Sequence, residues 1–123
     1  MSHAHRVLLC DDSRALRMVT RQQLATHGFE VAGEAGDGAE ALAQYKALRP
    51  DVVLLDLVMP GVDGKQALVD ILAFDPEARV VILSSLGAQA DIEACLKQGA
   101  RSYLQKPIDP DAMARVLHGV LAA

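Results

Sequence analysis

Val52-Val53-Leu54-Leu55-Asp56 is an unbroken aliphatic run closed by an acid. A strand with one wet face would alternate apolar and polar residues. A continuous run predicts a strand buried on both faces, as in a parallel sheet covered by helices. Working outward, comparable runs lie at residues 6–10 and 79–84, with weaker ones at 29–34 and 101–105. The central run belongs to a segment spanning 51–56.

Between these runs the apolar residues change to helical spacing. Leu16 and Val19 mark a first amphipathic segment, and Ala41, Leu42, Tyr45 and Leu48 a second. Ala67, Leu68, Ile71 and Leu72 mark a third, and Ile92, Cys95, Leu96 and Gly99 a fourth. Met113, Val116, Leu117, Val120 and Leu121 complete the fifth. Ser13 is placed to cap the first helix, and Asp109-Pro110 is a start signal for the last. Gly28 and Gly99 stand where helices are expected to end in a left-handed residue. Five alternating βα units predict one α/β domain over residues 1–123, a (βα)5 doubly wound parallel sheet. The flavodoxin-like strand order 2-1-3-4-5 is the natural candidate, and it makes strands 1 and 3 neighbours at the switch point where ligands bind.

Composition narrows the function. The chain has 123 residues, enough for one sizeable core, and a net charge of -4 with no basic run, which argues against direct nucleic-acid binding. No stretch approaches the ~20 apolar residues of a membrane span, and the first residues lack the apolar core of a signal peptide. Cys10 and Cys95 are far from any CxxC spacing and read as packed, reduced thiols of a cytoplasmic protein. His3 and His5 read as an exposed terminus.

The chemistry is concentrated at strand ends. Asp11 and Asp12 follow the first run, Asp56 ends the third, Ser84 ends the fourth and Lys106 follows the fifth. In a parallel sheet these ends share one edge. Three carboxylates gathered at about 4–5 Å repel by roughly 3–4 kcal/mol per pair at an effective dielectric near 20. Such a cluster needs a cation, and Mg²⁺ suits carboxylates that leave room for water and phosphate oxygens. Asp56 is then the candidate nucleophile for an aspartyl phosphate, with Lys106 and Ser84 placed to neutralise and hydrogen-bond the phosphoryl oxygens. Taken singly, each residue has a plainer role: a cap, a turn, a strand-end hydroxyl, a solvated lysine. The joint pattern carries the argument.

That pattern resembles the receiver domain of two-component response regulators, over essentially the whole chain. The matching stretches are Val-Leu-Leu-Cys-Asp-Asp-Ser from Val7, Gly-Asp-Gly-Ala-Glu-Ala-Leu from Gly36, and the fifteen residues from Pro50 to Gly64. Val-Ile-Leu-Ser-Ser from Val81 and Gly-Ala-Arg-Ser-Tyr-Leu-Gln-Lys-Pro from Gly99 complete it. The resemblance is nearest to the single-domain chemotaxis type. It implies that Asp56 accepts a phosphoryl group from a histidine kinase and that Asp11, Asp12 and Asp56 hold Mg²⁺ with the Val58 carbonyl. It further implies that Ser84 and Tyr103 form a switch, that Lys106–Pro107 is cis, and that Gly61 and Gly64 shape the turn after the third strand. The expected output face is the fourth helix, fifth strand and fifth helix, with Ile92, Leu96, Tyr103 and Met113 as partner contacts.

The implied downstream partner is a flagellar motor switch component or a phosphotransfer protein. A phosphorelay carrier, or a receiver excised from a larger regulator, remains the alternative; the lack of an output segment after Ala123 favours a stand-alone receiver. Val58 and Leu86 are apolar where a polar side chain would orient water, so slow self-dephosphorylation is expected. An aspartyl-nucleophile phosphohydrolase is the remote reading, because its second acid would stand at Val58. The chain is therefore expected to be a phosphoacceptor and not an enzyme acting on other substrates.

Overall fold

The computed structural model describes residues 4–85 and 88–122. Two residues singled out above, His3 and Leu86, lie outside the described residues. Five strands alternate with five helices: β1 (Arg6–Cys10), α1 (Arg14–Thr26), β2 (Glu30–Ala35), α2 (Gly38–Leu48), β3 (Val52–Asp56), α3 (Gly64–Phe74), β4 (Val80–Ser84), α4 (Gln89–Gln98), β5 (Ser102–Gln105) and α5 (Pro110–Ala122). The strands form one sheet in the order β2-β1-β3-β4-β5, and every neighbouring pair is parallel. The expected doubly wound architecture is therefore observed.

Strand alternation sorts the core into two layers. Leu8, Cys10, Val53, Leu55, Val80 and Ile82 project to one face and pack on Ala41, Tyr45, Leu68, Ile71 and Cys95 of α2, α3 and α4. Val7, Leu9, Val52, Leu54, Val81, Leu83 and Leu104 project to the other and pack on Leu24, Met113, Leu117 and Val120 of α1 and α5. β1, β3 and β4 are buried almost throughout, which is why their sequences show no polar alternation. Both cysteines are free and buried.

Helix starts follow local chemistry. Ser13 Oγ accepts from the Leu16 N–H at 3.2 Å, and Asp109 Oδ2 from the Ala112 N–H at 3.0 Å. Asp37 and Asp63 cap α2 and α3 in the same way, which the sequence reading had not singled out. Gly28 and Gly99 have φ of 84° and 125°, as their positions after helices require.

Two expectations are corrected. Leu16 and Val19 are not core: they are 46% and 53% exposed, and α1 instead buries Thr20 and Leu24. Leu16 and Val19 line an open cavity beside Pro107 and Ile108, so this part of the helix faces a recess and not the packed core. On the expected output face, Ile92 and Met113 are buried in the core, whereas Leu96 and Tyr103 remain exposed. Helical spacing alone does not tell a core stripe from a partner stripe, and here the sheet claims the first pair.

Candidate functional site

The same alternation that sorts the core aims the site. Asp56 continues Val52 and Leu54 on the α1/α5 side of β3, and Asp11 continues Val7 and Leu9 one residue past β1. Lys106 continues Leu104 one residue past β5. Because β1 and β3 are neighbours with Cys10 opposite Leu55, the two acids are adjacent at the C-terminal edge. The Asp11 N–H donates to the Ala35 carbonyl at 3.0 Å, and the Lys106 N–H to the Ser84 carbonyl at 2.7 Å.

Lys106 reaches across the edge to both acids. Its Nζ donates to Asp11 Oδ2 at 2.8 Å and to Asp56 Oδ2 at 2.7 Å. Asp11 Oδ1 accepts from the Ser13 N–H at 2.9 Å, and Asp56 Oδ1 from the Val58 N–H at 3.1 Å. Asp12 is exposed, yet Asp11, Asp12 and Asp56 each offer a carboxylate oxygen within 4.8 Å of the others. The three acids and Lys106 predicted from sequence are thus brought together. One ammonium against three carboxylates leaves the cluster net negative, and this set of hard oxygen donors fits a divalent cation.

Burial raises the Asp56 carboxyl above its ordinary value; the hydrogen bonds from Lys106 and Val58 offset only part of that rise, and nearby Asp11 adds to it. For Lys106, burial acts to lower its value but the hydrogen bonds to Asp11 and Asp56 outweigh this and raise it. Both shifts describe one coupled group in which the proton budget is set by crowding of acids around a single ammonium.

Ser84 ends β4, buried, and its Oγ has no hydrogen-bond partner among the described residues. A buried hydroxyl without an acceptor is unusual and marks a place where an acceptor is wanted. Ser84 and Ile82 share one face of β4, and Ile82 lies opposite Tyr103 of β5, so Ser84 and Tyr103 belong to the same α4 side of the sheet. The Tyr103 side chain is turned outward, 44% exposed. The Lys106–Pro107 peptide is cis, as the resemblance implies. Gly61 has φ 68°, and at Gly64 an added Cβ would run into the backbone of Asp56 and Leu57. Glycine there lets the start of α3 close directly over the end of β3.

Sequence reasoning missed two parts of the site. A cavity of about 470 Å³ opens beside Asp11 and Lys106, walled by Leu16, Val19, Pro107 and Ile108. Helical spacing marks Leu16 and Val19 as one apolar stripe but does not say whether the stripe meets the core or an open cavity. The second is Arg17, whose Nη1 donates to the Asp11 carbonyl at 2.5 Å. An arginine six positions after an acid carries no sequence signal of its own.

Fold and strand-edge cluster together define a response regulator receiver domain. The family model for this domain matches residues 7–118, and the chain belongs to that family. It is 38% identical to a chemotaxis protein CheY of Thermotoga maritima over 94% of this chain and 96% of that one. It is 36% identical to a chemotaxis protein CheY of Bacillus subtilis, covering 96% and 98% of the two. Among solved structures, a chain of the CheX-CheY-BeF3-Mg²⁺ complex from Borrelia burgdorferi superposes with a TM-score of 0.92 at 34% identity, covering 96% of this chain and 90% of that one. A LuxR-family response regulator from Aurantimonas gives 0.91 at 31% identity, covering 97% and 86%. Among the described residues no helix is long and apolar enough to cross a membrane.

Asp12→Ala is expected to stabilise the metal-free protein. Asp12 is exposed, so its repulsion from each of the other two acids is near the water limit, about 1 kcal/mol per pair at this spacing. Urea melts in the presence of a chelator check this, and a loss of stability there would contradict the crowded-acid description.

Proposed function

We propose that Asp56 is the phosphoryl acceptor of a single-domain signalling protein, with a histidine kinase as donor. The observation that carries this reading is Lys106 held between Asp11 and Asp56 at 2.8 and 2.7 Å, one strand from a buried hydroxyl that has no partner among the described residues. In this reading a carboxylate oxygen of Asp56 forms the new bond to phosphorus as the nitrogen–phosphorus bond of a phosphohistidine breaks, and the imidazole departs. Lys106 exchanges a carboxylate partner for a phosphoryl oxygen, and Ser84 donates its hydroxyl to another.

Asp11, Asp12 and Asp56, with the Val58 carbonyl, would hold Mg²⁺. When bound, the metal would supply charge neutralisation to the phosphoryl oxygens during transfer. The chain's own residues do the rest. The apolar wall of Leu16, Val19, Pro107 and Ile108 beside the acids supports approach of the donor from the α1 side and exclusion of water there.

The new phosphoryl group adds charge and three strong acceptors, and acts at a distance only by biasing an element with two arrangements. Ser84 moving toward the phosphate would free space on the α4 side of the sheet for Tyr103 to turn inward. Downstream binding would then change at the face of α4, β5 and α5, where Leu96 and Tyr103 are exposed. The relatives' names support a role in chemotaxis; a flagellar motor switch component is the target proposed here, and a phosphotransfer protein the alternative. A cytoplasmic location follows from that reading. A phosphohydrolase is disfavoured because Val58, 70% exposed, is the side chain where such an enzyme's general acid would stand.

Incubation with acetyl phosphate and Mg²⁺ is expected to add one phosphoryl group, mapped by peptide mass to Asp56. Labelling elsewhere, or none, would overturn the assignment. With apolar Val58 beside the acceptor, the label is expected to persist well beyond seconds after the donor is removed; loss within seconds would refute slow self-dephosphorylation.

A further inference from the structure

Asp12 differs from the other acids of the cluster in having no hydrogen bond or ion pair among the described residues to hold it. Asp11 is tied by both carboxylate oxygens, to Ser13 and Lys106, and Asp56 by both, to Val58 and Lys106. The direction of the Asp12 side chain therefore depends on the backbone that carries it. Asp12 follows directly on Asp11, and the intervening peptide is a rigid plane with the Asp11 carbonyl on one side and the Asp12 N–H on the other. Asp11 lies past the end of β1, so this carbonyl has left the strand ladder.

Arg17 supplies its donor. Nη1 donates to the Asp11 carbonyl at 2.5 Å, while Nε donates to Glu34 Oε1 at 2.9 Å. Glu34 is held from the other side by Arg21, whose Nη1 meets Oε2 at 2.6 Å. The Arg17 side chain is only 17% exposed, so the guanidinium is packed as well as bonded. A planar fork with one edge on a carboxylate and the other on a carbonyl has little freedom to rotate. Glu34 thus orients Arg17, and Arg17 orients the Asp11–Asp12 peptide.

We infer that Arg17 is a positioning residue for the cation site: through the Asp11 carbonyl it sets the Asp12 carboxylate against Asp11 and Asp56, with Glu34 as the anchor that aims it. This rests on the reading that the acidic cluster takes Mg²⁺. Arg17 touches neither metal nor phosphate and acts only through the peptide.

The test is Mg²⁺ binding to ¹⁵N-labelled, initially metal-free protein, followed at the Asp12 and Ser13 amides, with thermal melts alongside. Arg17→Met is expected to weaken Mg²⁺ binding ~10-fold, the scale on which partners of metal ligands act. Glu34→Gln is expected to weaken it less, and the double variant no more than Arg17→Met alone, because Glu34 works through Arg17. A general loosening would instead shift amides throughout the sheet and make the two losses add. Mg²⁺ affinity of Arg17→Met within about two-fold of the parent protein, or additive losses, would overturn the inference. Should Arg17→Met fail to fold, Glu34→Gln carries the test, and unchanged affinity there overturns it. If the parent protein itself shows no Mg²⁺ response at Asp12 and Ser13, the cation-site reading fails first; if it responds and Arg17→Met matches it, only the role of Arg17 falls.

Discussion

Asp56→Asn is expected to abolish labelling by acetyl phosphate while leaving the fold intact. Asparagine has the same shape and keeps an oxygen to accept the Val58 N–H, but its amide is a poor nucleophile toward phosphorus. Stability of the metal-free protein should stay within about 1 kcal/mol of the parent, since one hydrogen bond to Lys106 is exchanged for relief of a crowded charge. The variant should also change the pH dependence. The folded state holds the Asp56 proton more tightly than the unfolded chain, whose ordinary value is 3.8, because burial dominates. A group with a raised carboxyl value favours the folded state at low pH, and that contribution declines as pH rises from 3.8 through the elevated folded value. Urea melts with a chelator across this interval should show the decline in the parent protein and lose it in Asp56→Asn. Residual labelling of the variant, or a melt that collapses, would contradict the assignment.

Lys106→Met is expected to be the most destabilising single change at the site in the absence of metal. It keeps the length of the side chain but strips the shared ammonium from two buried carboxylates. Leaving a buried charge without its partner typically costs about 3–5 kcal/mol, and because Lys106 is 21% exposed the lower end, roughly 3 kcal/mol, is expected here. At neutral pH the ammonium's contribution is complete, since its folded value is raised above the ordinary 10.5 and is lost only as pH climbs through that folded value. The loss should shrink on acidification, which protonates one of the stranded acids, and should shrink again in Mg²⁺. Melts at neutral and acid pH, with chelator or with Mg²⁺, separate these effects. Equal destabilisation under all of them would mean that Lys106 serves packing and not charge.

These two predictions depend on features that differ in how far the chain reveals them. The alternation of Val52–Leu55 type runs with helix-spaced stripes was legible because burial on both faces removes polar residues from a strand. The flavodoxin-like order, the natural candidate for five such units, then put Asp11 and Asp56 side by side as an expectation that the observed order β2-β1-β3-β4-β5 meets. Leu16, Val19, Ile92 and Met113 show the limit. All four occupy apolar helical positions, and the pattern does not say which of them the sheet covers and which face a cavity or solvent.

The alternation of strands and helices, the identity of the acids and the expectation that Asp11, Asp12, Asp56 and Lys106 share one sheet edge were legible in the sequence alone. The reason is that strands buried on both faces are uninterrupted apolar runs and parallel strands place their C-terminal ends together. The tertiary structure decided how the edge is wired: which oxygens share the Lys106 ammonium, which hydroxyl has no partner among the described residues, and which arginine takes the Asp11 carbonyl. Those outcomes depend on where α1 and the segment after β5 lie over the strand ends, and no local pattern encodes the separation of groups brought together from opposite ends of the chain.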